Sequence, residues 1–127
     1  MEYRESAEQK IFVRWFKMQY PQFSKLIYSI PNEGKCKPHI GQIRKDMGKL
    51  AGIPDICIAV PTMTRPGLYI EMKSINEEGK KSGLSTAQRE IHLELKKVGY
   101  RVETCWTADE AIAVAKDYLK DFQSFLV

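Results

Sequence analysis

The apolar positions of this chain follow two different periods. Over Arg4 to Tyr20, the residues Ile11, Phe12, Trp15 and Met18 recur at helical spacing, and Pro21 follows the end. That pattern predicts a helix with those positions turned to the core. Lys25 to Ile30 (KLIYSI) reads as a short strand, and Pro31 to His39 as a polar, basic loop. Gly41 to Leu50 predicts a short helix ending near Gly48 and Gly52. Ile56 to Val60 (ICIAV) is almost continuously apolar, as in a buried strand. Pro61 to Gly67 carries turn chemistry. Leu68 to Lys73 (LYIEMK) alternates like a strand with two different faces, and Ser74 to Leu84 reads as a mobile, polar loop. Ser85 to Val98 predicts a helix closed by Gly99. Tyr100 to Trp106 is a strand, and Thr107 to Phe122 a helix opened by the capping pattern of Thr107 and Glu110. The order αβαββαβα places the chain in the α/β class. It implies a mixed central sheet with a hairpin at its centre, flanked by helices.

Length and composition narrow this picture without changing it. The 127 residues fit one domain, and no repeat, low-complexity run or linker divides them. With 43% hydrophobic and 28% charged residues, an ordinary core forms without staples. The cysteines Cys36, Cys57 and Cys105 are odd in number and lack CxxC spacing, which argues against a disulfide framework and a structural zinc site. Cys57 and Cys105 sit in apolar runs and read as small buried hydrophobes, and Trp15 and Trp106 read as core. The opening MEYRESAEQK is polar, unlike a signal peptide, and no apolar run approaches the roughly 20 residues a membrane span needs. A reducing, cytoplasmic setting is expected.

The formal net charge of +4 is unevenly spread. Lys25, Lys35, Lys37, Arg44, Lys45 and Lys49 stand against Glu33 and Asp46, whereas Glu103, Asp109, Glu110, Asp117 and Asp121 stand against Lys116 and Lys120. Two solvated faces of opposite sign would suffice to explain this. A basic surface for nucleic acid is the alternative.

The hairpin carries the chemistry. Residues two apart in a strand share a face, so Leu68, Ile70 and Met72 form a core face and Tyr69, Glu71 and Lys73 the other. Glu71 and Lys73 then lie about 6.8 Å apart along the strand. With the turn centred near Thr64, Asp55 falls opposite Lys73 and diagonal to Glu71, within about 7–8 Å of it. Two carboxylates at that distance repel each other, and a divalent cation between them removes the penalty. Such an ion activates water and stabilises charge on a phosphodiester. An ordinary cross-strand pair of Lys73 with an acid is the plainer reading. Glu8 weighs against it, because it precedes Ile11, Phe12 and Trp15 on the apolar stripe of the first helix, where an unpaired carboxylate is costly. A helix-end acid that reaches solvent, or serves the helix dipole, is the alternative there. Gln88 is either the second half of a capping box with Ser85 or a residue of the site. His39 reads as a loop residue within reach of phosphate and His92 as a helix-packing histidine. Neither has a partner at metal-ligand spacing.

Pro54-Asp55 followed by Glu71-Met72-Lys73 resembles the signature of the PD-(D/E)xK nuclease superfamily. The surrounding sequence is more specific. Ser29-Ile30-Pro31-Asn32, Gly48-Lys49-Leu50-Ala51-Gly52-Ile53-Pro54-Asp55, Tyr69-Ile70-Glu71-Met72-Lys73, Leu84-Ser85-Thr86-Ala87-Gln88 and Gly99-Tyr100 resemble the virus-type replication-repair nuclease (VRR-NUC) domain in its stand-alone phage and bacterial form. The likeness runs from about Glu8 to about Leu119, so one nuclease domain takes up nearly the whole of residues 1–127.

The resemblance implies a restriction-endonuclease-like core. It further implies that Asp55, Glu71 and the Met72 backbone carbonyl bind metal, that Lys73 is the catalytic lysine, that Glu8 completes the acidic set and that Gln88 lines the site. It implies Mg²⁺ or Mn²⁺ as cofactor, a homodimer, and branched DNA such as Holliday junctions or flaps as substrate in replication, recombination or repair. Met72 departs from the small aliphatic residue common at its position, but only its carbonyl is needed. Asn32, Lys35, Lys37, His39, Lys80 and Lys81 are the candidate DNA contacts. A general or restriction-like endonuclease is the alternative within nucleases. A non-catalytic DNA-binding module with this fold is the alternative outside them, although every expected acid and the lysine are present.

Overall fold

A computed structural model of the protein describes residues 3–31 and 38–124. The first helix, α1, spans Tyr3–Gln19. Phe12 and Phe16, one turn apart, are its fully buried residues, with Val13 and Trp15 packed beside them. Ile11 and Met18 face outward at 52% and 78% exposure, so the core stripe is centred differently from the sequence expectation. Apolar residues run nearly all round this helix. What selects its inner face is an aromatic cluster: Phe16 meets Tyr20 at 5.2 Å, and Tyr20 meets Phe23 at 6.3 Å. Pro21 ends α1 and opens a short 3-10 turn, Pro21–Phe23.

Strand β1, Ile27–Ser29, follows, and then α2, Pro38–Asp46. The backbone of His39 therefore begins a helix and does not end a loop. Its side chain and all of Asn32, Lys35, Cys36 and Lys37 lie outside the described residues. Strands β2, Ile56–Ile58, and β3, Leu68–Met72, form the central hairpin. Helix α3, Thr86–Lys97, crosses over to β4, Arg101–Cys105, and α4, Ala108–Leu119, is the last element. The sheet order is β1-β2-β3-β4, antiparallel across the first two pairs and parallel between β3 and β4.

The hairpin register pairs Ile56 with Ile70 and Ile58 with Leu68. Carried one step further, it sets Asp55 opposite Glu71, where the sequence expectation had Lys73. The cause is the turn: Thr62 Oγ1 accepts from Arg65 N at 3.2 Å, drawing its centre one residue back from Thr64. The two expected faces of β3 stand. Leu68, Ile70 and Met72 are fully buried, together with Ile56, Ile58 and Phe12. Helices α1 and α4 cover that face. The small, buried Ala108, Ala111 and Ala115 let α4 pack close. Helix α3 lies on the other face, where His92 meets Glu71.

The stretch 74–84 is tied down, contrary to the mobile loop expected. Ile75 bridges Lys81, the Asn76 side chain accepts from the Glu78 and Lys80 N–H groups, and Trp106 Nε1 donates to Ser82 O at 2.9 Å. Trp106 thus clamps this segment more than it fills the core. Cys57 and Cys105 are buried and free. Among the described residues, no helix is long and apolar enough to cross a membrane.

Candidate active site

The candidate residues gather where β2 begins and β3 ends. Asp55 sits just before β2, half-buried, and its Oδ2 accepts from Met72 N at 2.7 Å. Glu71 is 2% exposed, an unusual place for a carboxylate unless it has work to do or a partner to meet. The two carboxyl groups lie within hydrogen-bonding reach of each other. Burial pushes the Asp55 carboxyl up to about 7, and the Glu71 carboxyl acts in the same direction. The Met72 N–H and the Lys73 ammonium pull the other way without offsetting this.

Lys73 extends β3 by one residue, with its N–H donating to Cys105 O at 2.9 Å. Its Nζ donates to Gln88 Oε1 at 3.2 Å. The same oxygen accepts from Ser85 N at 2.9 Å, and Ser85 Oγ accepts from Gln88 N at 3.1 Å. Gln88 therefore caps α3 and meets the Lys73 ammonium at once. The start of α3 is held near β3 by the turn that precedes Asp55. Gly52 has φ +91, and a Cβ there would stand 2.5 Å from Ala87 O.

His92 was not among the expected site residues, yet its Nε2 lies 3.2 Å from Glu71 Oε1 and its ring is 5% exposed. Burial holds the imidazole below its usual range, and Lys96 and Lys73 act in the same direction. A neutral ring with its hydrogen on Nε2 donates to this Glu71 oxygen. The available signal was its position: four residues after Gln88, on the same side of a helix.

Glu8 is engaged elsewhere. Its Oε1 accepts from Ala108 N at 3.0 Å, at the first turn of α4, where backbone N–H groups lack helical partners. Among the described residues, no three His, Cys, Asp or Glu side chains stand close enough to share one ion. Glu8 therefore does not join Asp55 and Glu71 directly. Of the expected DNA contacts, Lys80 is exposed, and Lys81 lies over the Trp106 ring at 4.7 Å, with Glu110 at 3.7 Å. The acids of β4 and α4 are partly paired within the fold: Arg101 reaches Glu103 at 2.8 Å and Asp117 at 2.7 Å.

The donor set suits a hard divalent ion. Two carboxyl groups converge, and burial together with their mutual repulsion raises Asp55 toward neutrality, a shift that a cation would oppose. The Met72 N–H points to Asp55, and in a strand the carbonyl of the same residue leaves on that edge too.

The chain matches the VRR-NUC domain model over residues 3–109. It is similar to a solved structure described as a "VRR_NUC domain protein", with 26% identity and a TM-score of 0.79, covering 97% of this chain and 93% of that one. No curated protein matches it. The VRR-NUC domain marks a nuclease of the PD-(D/E)xK type, a class that acts on DNA and generally uses divalent metal ions. Matched over most of its length by the family model and nearly end to end by the solved structure, this chain belongs to the VRR-NUC family.

Proposed function

We propose that the protein is a Mg²⁺- or Mn²⁺-dependent DNA endonuclease, one nuclease domain with one site per chain, acting as a homodimer on branched DNA such as Holliday junctions or flaps. The observation that carries the reading is the buried Asp55–Glu71 pair, with the Asp55 carboxyl pushed up to about 7 and Lys73 beside it. In this reading Asp55, Glu71 and the Met72 carbonyl hold the ion. When bound, it supplies an activated water and stabilises negative charge on the phosphodiester. Lys73 holds a phosphate oxygen or the attacking water as a compact ammonium. Gln88 fixes that ammonium through the 3.2 Å bond. His92 holds Glu71 in place by donating to its Oε1. Glu8 contributes from outside the ligand pair, through α4 and through its charge. The buried free thiols Cys57 and Cys105 favour a cytoplasmic setting.

The test is a cleavage panel on linear duplex, single strand, flap and four-way junction, with Mg²⁺, Mn²⁺ or EDTA, for wild type and Asp55→Ala. Metal-dependent cutting of the branched substrates above the linear ones, lost in Asp55→Ala, is the expected result. Equal cutting by both proteins defeats the site assignment, and indifference to branching defeats the selectivity.

A further inference from the structure

A second feature lies beside the site. Between α1 and β1 runs a groove of about 610 Å³. Lys10, Arg14 and Lys17 form one wall, at helical spacings of four and three residues, which stacks them along one side of α1. All three are exposed, and none forms an ion pair among the described residues. Among the described residues, no acidic side chain lines the groove.

The facing wall is β1, an outer strand of the sheet. Ile30 N donates to Asp55 O, and Ala59 N to Leu26 O, so residues 26, 28 and 30 turn their backbone groups toward β2. By the alternation of an antiparallel ladder, Ile27 and Ser29 turn theirs outward. The groove therefore offers cations on one side, and on the other the Ser29 hydroxyl with the outward N–H and C=O groups of Ile27 and Ser29. Its Ser29 end lies one strand away from Asp55, since Ser29 pairs with Ile56 and Ile30 N donates to Asp55 O at 2.7 Å. From Lys10 to Lys17 the helix rises about 10 Å, the axial rise of about three nucleotides.

We propose that this groove holds the phosphate backbone of one DNA strand on its approach to Asp55. The proposal rests on the nuclease reading for its ligand. The charge would otherwise suit any polyanion, and a protein with a run of acidic side chains is the outcome the test must separate.

The experiment measures binding of a labelled flap by fluorescence anisotropy, with EDTA present, across a salt series. The triple variant Lys10→Gln, Arg14→Gln, Lys17→Gln should raise Kd at least tenfold and reduce the salt slope by about 2 to 3. Ser29→Glu, which adds an anion at the end near Asp55, should raise Kd as well. A charge-matched triple at Lys96, Lys97 and Lys120 should change the slope far less. Thermal melts of each variant establish that the fold is retained. An unchanged slope in the first triple, or an equal loss in the control triple, overturns the proposal. Failure of polyglutamate to compete at equal charge supports a DNA strand, whereas full competition counts against it. Should the wild type cut no DNA while the triple still weakens binding, the groove stands and the nuclease reading falls. Should cutting be intact while the triple binds like wild type, the groove alone falls.

Discussion

A pair of carboxylates at a buried strand end is stable only with a proton or a cation between them. Asp55 has a folded value of about 7 against 3.8 for the free side chain, so between those values the native state binds a proton that the unfolded chain does not. Stability from this group is thus full below 3.8 and is lost as pH rises through about 7. The Tm of EDTA-treated protein should fall between about pH 4 and pH 7. Asp55→Asn should flatten that slope, and Mg²⁺ should raise the wild-type Tm at the alkaline end. A slope unchanged in Asp55→Asn would place the effect on other groups. Lys73→Met keeps the stem and removes the charge. It should lower turnover about a hundredfold or more while Mn²⁺ binding survives, and Lys73→Arg should not rescue it, since a planar fork replaces a point charge. His92→Ala removes the donor to Glu71 and should weaken Mn²⁺ binding by about tenfold or more in a metal titration, with His92→Gln in between. Equal affinities would make His92 a packing residue only. Asp55, Glu71 and Lys73 were legible in the sequence because two of them share a strand and the third lies across one hairpin. His92 was not, because its partner is 21 residues away across a crossover, where periodicity says nothing of contacts.

At the scale of elements, strand and helix order was readable because each element carries its own local signal: a cap at Ser85, another at Thr107, and proline or glycine at the ends. Two properties were not local. The hairpin register depends on the Thr62 hydroxyl binding the turn backbone, and the inner face of α1 depends on aromatic neighbours and on the alanines of α4. Tertiary packing chose among faces that the helix itself left equivalent. The same reasoning singles out Gly52. Gly48 and Gly52 share a left-handed backbone, at φ +93 and +91, so alanine at either carries strain of about 1–3 kcal/mol. Only at Gly52 does the added Cβ also collide with fixed backbone, 2.5 Å from Ala87 O, whereas nothing lies within 4 Å at Gly48. Gly52→Ala should therefore lower the Tm more than Gly48→Ala. It should also lower turnover, because relief of the clash moves the turn that presents Gln88 to Lys73. Matched Tm and turnover losses at both glycines would mean that the contact with α3 has no bearing on the site. Glu8 is a second test of one element acting on another. Glu8→Gln keeps an acceptor for Ala108 N and removes the charge. If the charge matters to the chemistry, cleavage falls about tenfold or more with little change in Tm, and Glu5→Gln does neither. A change in Tm alone would confine Glu8 to holding α4.

The whole molecule was legible as a class, because the order of elements admits few sheets. Its assembly was not, because a surface that meets a second copy need not differ in pattern from one that meets water. The proposed junction substrate bears on assembly. Cutting a four-way junction symmetrically requires two sites in fixed relation, and this chain has a single set of Asp55, Glu71 and Lys73. A two-fold dimer is the simplest closed arrangement that supplies the second. Each chain carries a formal charge of +4, so two copies repel each other unless their contact is apolar or their charges are segregated. Segregation is present. Arg101, Glu103, Asp117 and Lys120 neutralise one another along β4 and α4, and Lys10, Arg14 and Lys17 are left facing solvent on α1. A dimer that kept the α1 groove of each copy open would present two basic tracks to one branched substrate. Its salt dependence per junction would be about double that per short linear strand bound by a single copy. Sedimentation equilibrium at micromolar concentration should give twice the chain mass. Binding of a four-way junction should fall with salt about twice as steeply as binding of a short oligonucleotide, and cutting should occur at symmetric positions on opposing arms. A monomer with equal slopes on both substrates would remove the dimer and the junction preference together, and would leave a single-site nuclease that cuts one strand at a time.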